Sequence, residues 1–192
     1  MEKLRSMKFL IYIVFSLLFL SQHSNGYGSN LILQSCRDAS NNDPNLSYDF
    51  CVTSLNEACK NKSQPTKLED LVNISIQLTK SNGTKIISII SKQLQNQTQD
   101  EYVKSCLQDC FDLYNDSLSS LDDALVAFNK SKDLDTAGIN VSAALDDSVT
   151  CEDQFKERKE KNETSPLTKE NRVYFQLNVI SLSFIQMIHQ HN

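Results

Sequence analysis

The sequence predicts an all-α protein, an up-down-up-down four-helix bundle that is preceded by a helical hairpin and stapled by disulfides. Helix-breaking residues are scarce, with four glycines and three prolines in 192 residues. Apolar residues recur every three to four positions along four long segments, the spacing of one face of an α-helix. Four of the six cysteines lie where predicted helices must be stapled, which is typical of an exported, oxidised domain.

The first residues predict a secretory signal peptide over residues 1–26. They begin with a basic group formed by Lys3, Arg5 and Lys8, followed by the apolar run Phe9–Leu20. That run is shorter than the roughly 20 apolar residues of a membrane-spanning helix, so a cleaved signal is favoured over an anchor. The expected mature domain covers residues 27–192, and its expected location is extracellular, in the cell wall or apoplast, with the vacuole as an alternative.

Residues 27–64 are predicted to form the helical hairpin. Leu31 to Lys60 would form two short helices around the turn Asn41-Asn42-Asp43-Pro44. Thirty residues bury little surface by themselves, so this hairpin needs a staple or a docking surface.

Residues 65–192 predict the four long helices of the bundle. Gly83 interrupts the first of them and costs about 1 kcal/mol in a helix interior, which allows a kink there. The last connection ends with Ser165-Pro166, a suitable N-cap followed by proline at the first helical position. The four predicted buried stripes are Leu68, Leu71, Ser75, Leu78, Ile86, Ile89, Ile90 and Leu94; Val103, Cys106, Cys110, Leu113, Ser117, Leu121, Leu125 and Phe128; Val141, Leu145, Ser148, Cys151 and Phe155; and Val173, Leu177, Ile180, Phe184 and Ile188.

Six cysteines allow fifteen pairings, and helix geometry disfavours several of them. On one helix, Cys51 and Cys59 would be about 12 Å apart, beyond the roughly 7 Å that a disulfide allows. The economical solution joins Cys36 to Cys51 and Cys110 to Cys151. The first of these closes a 15-residue interval, which is worth about 3 kcal/mol in the loop-entropy model.

Cys59 and Cys106 are left over, and two interpretations stay open for them. They pair as a third disulfide that fastens the hairpin to the bundle, or they remain buried thiols. A zinc site is disfavoured because Cys106 and Cys110 have no histidine near them in sequence. We therefore expect no metal and no cofactor.

Charge and glycosylation motifs restrict the partners. Removing residues 1–26 changes the formal charge from −5 to −7, since three basic groups and Glu2 are lost. An acidic chain gains nothing from phosphates, so a basic protein partner is favoured over nucleic acid. Nine Asn-x-Ser/Thr motifs follow the signal, and those expected between helices are the best candidates for glycosylation: Asn45, Asn61 and Asn162.

The mature chain resembles the plant invertase/pectin methylesterase inhibitor family, and within it the pollen-allergen-like invertase inhibitors. The resemblance is carried by Cys36, the segments 44–52 and 109–114, the tract Ser142–Phe155 and the segment Ser165–Asn171. It implies a four-helix bundle with an N-terminal hairpin, and disulfides between the first and second and between the third and fourth motif cysteines. Cys59 and Cys106 are additions to that pattern.

The resemblance also implies a function, which is to block a carbohydrate-active enzyme of the cell wall or vacuole. Inhibitors of pectin methylesterase lay bundle helices over the pectin cleft, and a Thr-Cys pair, here Thr150-Cys151, is typical of their contact region. Invertase inhibitors carry a Pro-Lys-Phe loop between the second and third bundle helices. The matching stretch here, residues 129–135, has Lys130 and Lys132 but no such motif.

We therefore expect a pectin methylesterase inhibitor, with acid invertase as the alternative target and a non-inhibitory binding protein as a further alternative. Thr150, Lys130 and Lys132 are the candidate contact residues. The competing interpretations are a core hydroxyl for Thr150 and a solvated loop for the two lysines.

Other functions are less well supported by the sequence. An enzyme is disfavoured because both histidines of the mature chain, His189 and His191, lie in its last four residues, and adjacent carboxylates on a helix point apart. A lipid carrier would usually show eight cysteines with Cys-Cys and Cys-x-Cys pairs, which this chain lacks. A four-helix signalling ligand is disfavoured only by the family resemblance.

Overall fold

The computed structural model describes residues 30–60, 62–96, 98, 100–157 and 165–191, and the regular structure in these ranges is helical throughout. The predicted signal peptide, Asn61 and Asn162 lie outside the described residues. Among the helices that are described, none has an apolar stretch long enough to cross a bilayer. The all-α prediction is confirmed.

The hairpin consists of α1, residues 30–42, and α2, Tyr48–Cys59. The Ser47 side chain caps α2 by accepting a hydrogen bond from the backbone N–H of Phe50 at 3.4 Å. The Cys36–Cys51 disulfide joins the two helices, with an S–S distance of 2.01 Å. The buried Cys36 and Cys51 belong to the same apolar core as the bundle, so the hairpin is docked as well as stapled.

The bundle consists of α3, Leu68–Leu94; α4, Glu101–Val126; α5, Leu134–Gln154; and α6, Thr168–His191. A π-helical turn, Ala127–Ser131, extends α4. Each bundle helix packs against two neighbours, in the ring order α3, α4, α5, α6. Aspartate side chains hold helix starts, since Asp100 accepts from Tyr102 N–H at 2.9 Å and Asp133 accepts from Thr136 N–H at 2.9 Å. The up-down-up-down bundle is confirmed.

The predicted buried stripes of α4 and α5 are largely confirmed, with local differences. Leu113 and Leu145 are only half-buried, and the fully buried neighbours are Tyr114 and Ala144 instead. Tyr114 can be buried because its hydroxyl donates a hydrogen bond to Asn171 Oδ1 at 2.7 Å. The buried faces of α4 and α5 are therefore the predicted ones, and Tyr114 and Ala144 each widen them by one residue.

Two local features of the structure also differ from the sequence prediction. The helix α6 begins at Thr168 and not at Pro166, and the Ser165 hydroxyl accepts from the backbone N–H of Leu167 at 3.0 Å. The helix α3 is continuous through Gly83. A Cβ at Gly83 would lie 3.0 Å from Leu118 Cδ2 and 3.0 Å from Tyr174 Cε2, so glycine here permits close helix packing and does not end the helix.

The bundle contains the second expected disulfide and two free thiols. Cys110 on α4 bonds to Cys151 on α5 with a Cα–Cα distance of 5.0 Å. Cys59 and Cys106 are both free and buried, so no third disulfide forms. Cys106 lies near the start of α4, whereas the chain after Cys59 leads to the start of α3 at the opposite end of the bundle. Burial raises the pKa of both thiols.

The two helical glycines offer a matched test of packing. A Cβ at Gly138 would meet only Ile185 Cγ2 at 4.0 Å, so Gly138→Ala should gain the helix propensity of alanine, about 0.5–1 kcal/mol of unfolding free energy. We expect Gly83→Ala to gain less than Gly138→Ala, and Gly83→Val to lose about 1–3 kcal/mol through overpacking. Chemical denaturation measures all three. Equal gains for the two alanine variants would contradict the close approach at Gly83.

Candidate target-binding surface

One disulfide and two hydrogen bonds link α4 to α5 at three positions along the helices. The Cys110–Cys151 disulfide lies between the other two links, in the first half of α4 and near the end of α5. Near the middle of both helices, the Ser117 hydroxyl donates to the carbonyl of Ala144 at 3.2 Å. Near the start of α4, the Tyr102 hydroxyl donates to the carbonyl of Gln154 at 2.6 Å. These links set the rotation of α5 about its axis and decide which of its residues face outwards.

A buried polar network ties this pair of helices to α6. The Asn171 side chain accepts from the Tyr114 hydroxyl and donates to Glu152 Oε2, each at 2.7 Å. Glu152 Oε1 also accepts from the Thr168 hydroxyl at 2.7 Å. Burial raises the pKa of Tyr114, so its phenol stays protonated as the donor. The network anchors the C-terminal end of α5 to the first turn of α6.

One face of α5 is exposed along the whole helix, and we call it the α5 stripe. Its members are spaced by three or four residues and therefore share one side of the helix. All of them are exposed: Asp135, Ile139, Ala143, Asp146, Thr150 and Asp153. Thr150 is exposed while the adjacent Cys151 is fully buried. The core-hydroxyl interpretation of Thr150 is therefore wrong.

The charges of the bundle are divided unevenly between two pairs of helices. Six acidic residues and one lysine lie on α4, and five acidic residues with no lysine or arginine lie on α5. In contrast, α3 has two acidic and three basic residues, and α6 has one acidic and two basic residues apart from histidine. The α4–α5 side therefore presents a strongly negative surface, which favours a positively charged partner.

Asp147 lies at the centre of this negative side. It is half-buried, and desolvation together with the carboxylates of Asp116 and Asp146 raises its pKa to about 6. Asp116 belongs to α4 and Asp146 to α5, so like charges face each other across the contact. The adjacency of Asp146 and Asp147 is visible in the sequence, but the approach of Asp116 is not, because it depends on which residues of two helices become neighbours.

The two candidate lysines lie far from Thr150. Lys130 belongs to the π-helical turn, and Lys132 follows it with a left-handed backbone (φ 56°). Both are exposed, at the end of the bundle where α5 begins. Thr150 lies 16 residues beyond Leu134, about 24 Å along the helix. The structure does not bring the lysines and Thr150 into one site.

The described glycosylation motifs differ in accessibility. Asn45 is exposed in the turn between α1 and α2, and its side-chain amide donates to Asp43 Oδ1 at 3.0 Å. Within α4, Asn115 is exposed and donates to the carbonyl of Phe111 at 2.7 Å. Asn73 and Asn140 are half-buried. Of the three favoured asparagines, only Asn45 can be placed.

A stapled helical bundle with a rigid, exposed helix face is the architecture of a protein that acts through surface contact. The plant invertase/pectin methylesterase inhibitor family model matches residues 30–184, and the chain belongs to that family. This family consists of enzyme inhibitors. Among the described residues, no cluster of three or more metal-ligating side chains is present.

Individual relatives divide between the two kinds of target. The chain is 41% identical over 179 residues to a Platanus acerifolia protein named "Putative invertase inhibitor", covering 93% of this chain and 96% of the relative. It is also 41% identical over 184 residues to Pectinesterase inhibitor 12 of Arabidopsis thaliana, covering 95% and 100%. A crystal structure of a mutant pectin methylesterase inhibitor from Arabidopsis shares the fold, with a TM-score of 0.62, 23% identity and coverage of 73% and 89%.

The raised pKa of Asp147 predicts a pH-dependent stability. A folded-state pKa of about 6, above the ordinary 3.8, means that charged Asp147 destabilises the fold above pH 6. This destabilisation disappears as the pH falls from 6 towards 3.8. Because the group is half-exposed, we expect Asp147→Asn to add about 1 kcal/mol to the unfolding free energy at pH 7 and little at pH 4.

Denaturant titrations at the two pH values measure this difference. Asp116→Asn is the control, and it should give a smaller gain because it removes only one of the repelling neighbours. An Asp147→Asn gain of equal size at both pH values would contradict the electrostatic explanation.

Proposed function

We propose that this protein is a secreted inhibitor that blocks the active-site cleft of a plant cell-wall pectin methylesterase by forming a stoichiometric complex. The observation that carries the proposal is the exposure of Thr150 on the α5 stripe, beside the disulfide-bonded Cys151. The α5 stripe and the neighbouring carboxylates of α4 would form the contact surface. Secretion agrees with the signal-like residues 1–26 and with two disulfides.

Inhibition in this proposal is by occlusion and requires no chemistry from the inhibitor. Three links from α4 reach α5 at Ala144, Cys151 and Gln154 and hold the part of the surface around Thr150 rigid, so little conformational entropy is lost there when the target binds. Carboxylates on both helices would accelerate association with a basic enzyme and make the complex sensitive to salt. Asp146 and Asp153 are the members of the α5 stripe on either side of Thr150.

Acid invertase is the second candidate target. The Platanus relative at 41% identity carries an invertase inhibitor's name, which supports this alternative. The exposed Lys130 and Lys132 occupy the position of the invertase-binding loop but without its Pro-Lys-Phe motif. The two candidate targets would therefore contact opposite ends of the bundle, so mutations at one end should affect inhibition of one enzyme and not of the other.

Substitutions at the two ends test the proposal. We expect Thr150→Lys to weaken inhibition of a cell-wall pectin methylesterase at least about tenfold, because it puts a bulky cation into the middle of the contact. The double variant Lys130→Glu/Lys132→Glu should not weaken that inhibition, since it only adds negative charge. Inhibition constants of the oxidised protein at mildly acidic pH, at low and high salt, measure both effects.

The same variants assayed with an acid invertase complete the comparison. Selective loss of invertase inhibition in the lysine variant would establish the second target and exclude the first. If the wild-type protein inhibits neither enzyme at near one-to-one stoichiometry, the proposed function is wrong.

A further inference from the structure

Ile139 is an apolar residue on a face that should be polar. It is 68% exposed, more than the other exposed large apolar residues of the described chain, Val126 at 45% and Val149 at 38%. It lies two residues before the fully buried Val141, so it faces away from the core of the bundle. Single exposed apolar residues are common, but Ile139 borders a groove that gives it a specific environment.

The groove runs between α5 and α6 and has a volume of about 810 Å³. The α5 residues beside Ile139 in its lining, Gly138, Ser142 and Ala143, are small. At one end it is bounded by Asn42 and Asp43, from the turn of the hairpin. Apolar residues that line it include Ala143, Leu182, Ile185 and Met187. The hairpin extension therefore has a second role, as one wall of this groove.

The rim of the groove is negatively charged. Asp43, Asp135 and Asp146 line it, and no lysine or arginine among the described residues does. The basic group of the rim is His189, whose Nε2 lies 3.5 Å from Asp135 Oδ1. An apolar floor within an acidic rim is complementary to an apolar side chain flanked by cations.

The groove continues the contact surface that contains Thr150. Ile139 and Thr150 are 11 residues apart on α5, which places them about 16 Å apart along the helix and within about 20° of each other around it. Asp146 belongs both to the stripe and to the rim. A single partner lying along α5 would therefore meet Thr150 and Ile139 together.

We infer that the groove beside Ile139 is an anchoring subsite for the target enzyme, which inserts a segment with an apolar side chain flanked by lysine or arginine. This inference rests on the proposed inhibitory function and adds a specificity determinant to it. A second copy of this chain is a poor occupant, because two acidic rims would face each other. Ile139 would act as the apolar anchor, and the carboxylates of the rim would select a basic segment.

Inhibition constants of matched variants test the subsite. We expect Ile139→Ser to weaken inhibition of the target enzyme about tenfold to 100-fold, since burial of an isoleucine side chain is lost. Ile139→Leu should stay within about threefold of the wild type. Val126→Ser removes an exposed β-branched side chain from α4, outside the groove, and should leave inhibition unchanged. Denaturation of each variant verifies that folding is intact.

The failure of this inference can be told apart from the failure of the proposed function. If the wild type inhibits pectin methylesterase or invertase and Ile139→Ser inhibits equally well, the subsite is wrong and the function stands. If the wild type inhibits neither enzyme, a blocked Lys-Leu-Arg-Leu-Lys peptide replaces the target in an NMR titration. Saturable shifts confined to Ile139 and Leu182, and absent with a Lys-Ser-Arg-Ser-Lys peptide, support the subsite; no saturable shift overturns it.

Analytical sedimentation tests whether a second copy of this chain occupies the groove. We expect the wild-type protein to stay monomeric at the concentrations of the assay. A dimer that Ile139→Ser dissociates would assign the groove to a second copy and overturn the inference.

Discussion

The α4–α5 contact is the constraint on which the rest of the structure depends. The Cys110–Cys151 disulfide crosses it, and hydrogen bonds from Tyr102 and Ser117 hold it on either side. Without these links α5 could rotate about its axis at little cost, because its buried residues are small. The outward direction of the α5 stripe, and with it the candidate surface, follows from this one contact.

The stability of the contact has an electrostatic cost that fits the proposed role. Acidic residues are concentrated on α4 and α5, and the most strained of them, Asp147, is forced close to Asp116 and Asp146. A protein selected for stability alone would mix charges across this contact. The negative side is better explained as a surface that attracts a basic partner, with the disulfide offsetting the repulsion that it creates.

A polar network also fixes the bundle where α5 ends and α6 begins. Asn171 accepts a hydrogen bond from the Tyr114 hydroxyl and donates one to Glu152. Glu152 also accepts a hydrogen bond from the Thr168 hydroxyl. Tyr114 and Asn171 are buried and would be costly to leave unpaired, and through Glu152 and Thr168 nearer the surface they link the end of α5 to the start of α6. Thr150 and the groove at Ile139 therefore belong to one rigid surface, which is what an occluding inhibitor requires.

The sequence by itself determined the helices and their order, because periodicity is a local property, and it favoured the pairing of Cys36 with Cys51 and of Cys110 with Cys151 as the economical one of fifteen. It also indicated the family through short motifs. Only the tertiary structure decided that Gly83 packs closely, that Cys59 and Cys106 stay unpaired, and that Ile139 borders a groove. Each of these depends on residues brought together from distant parts of the chain, where small rotations of a helix decide which side chains meet.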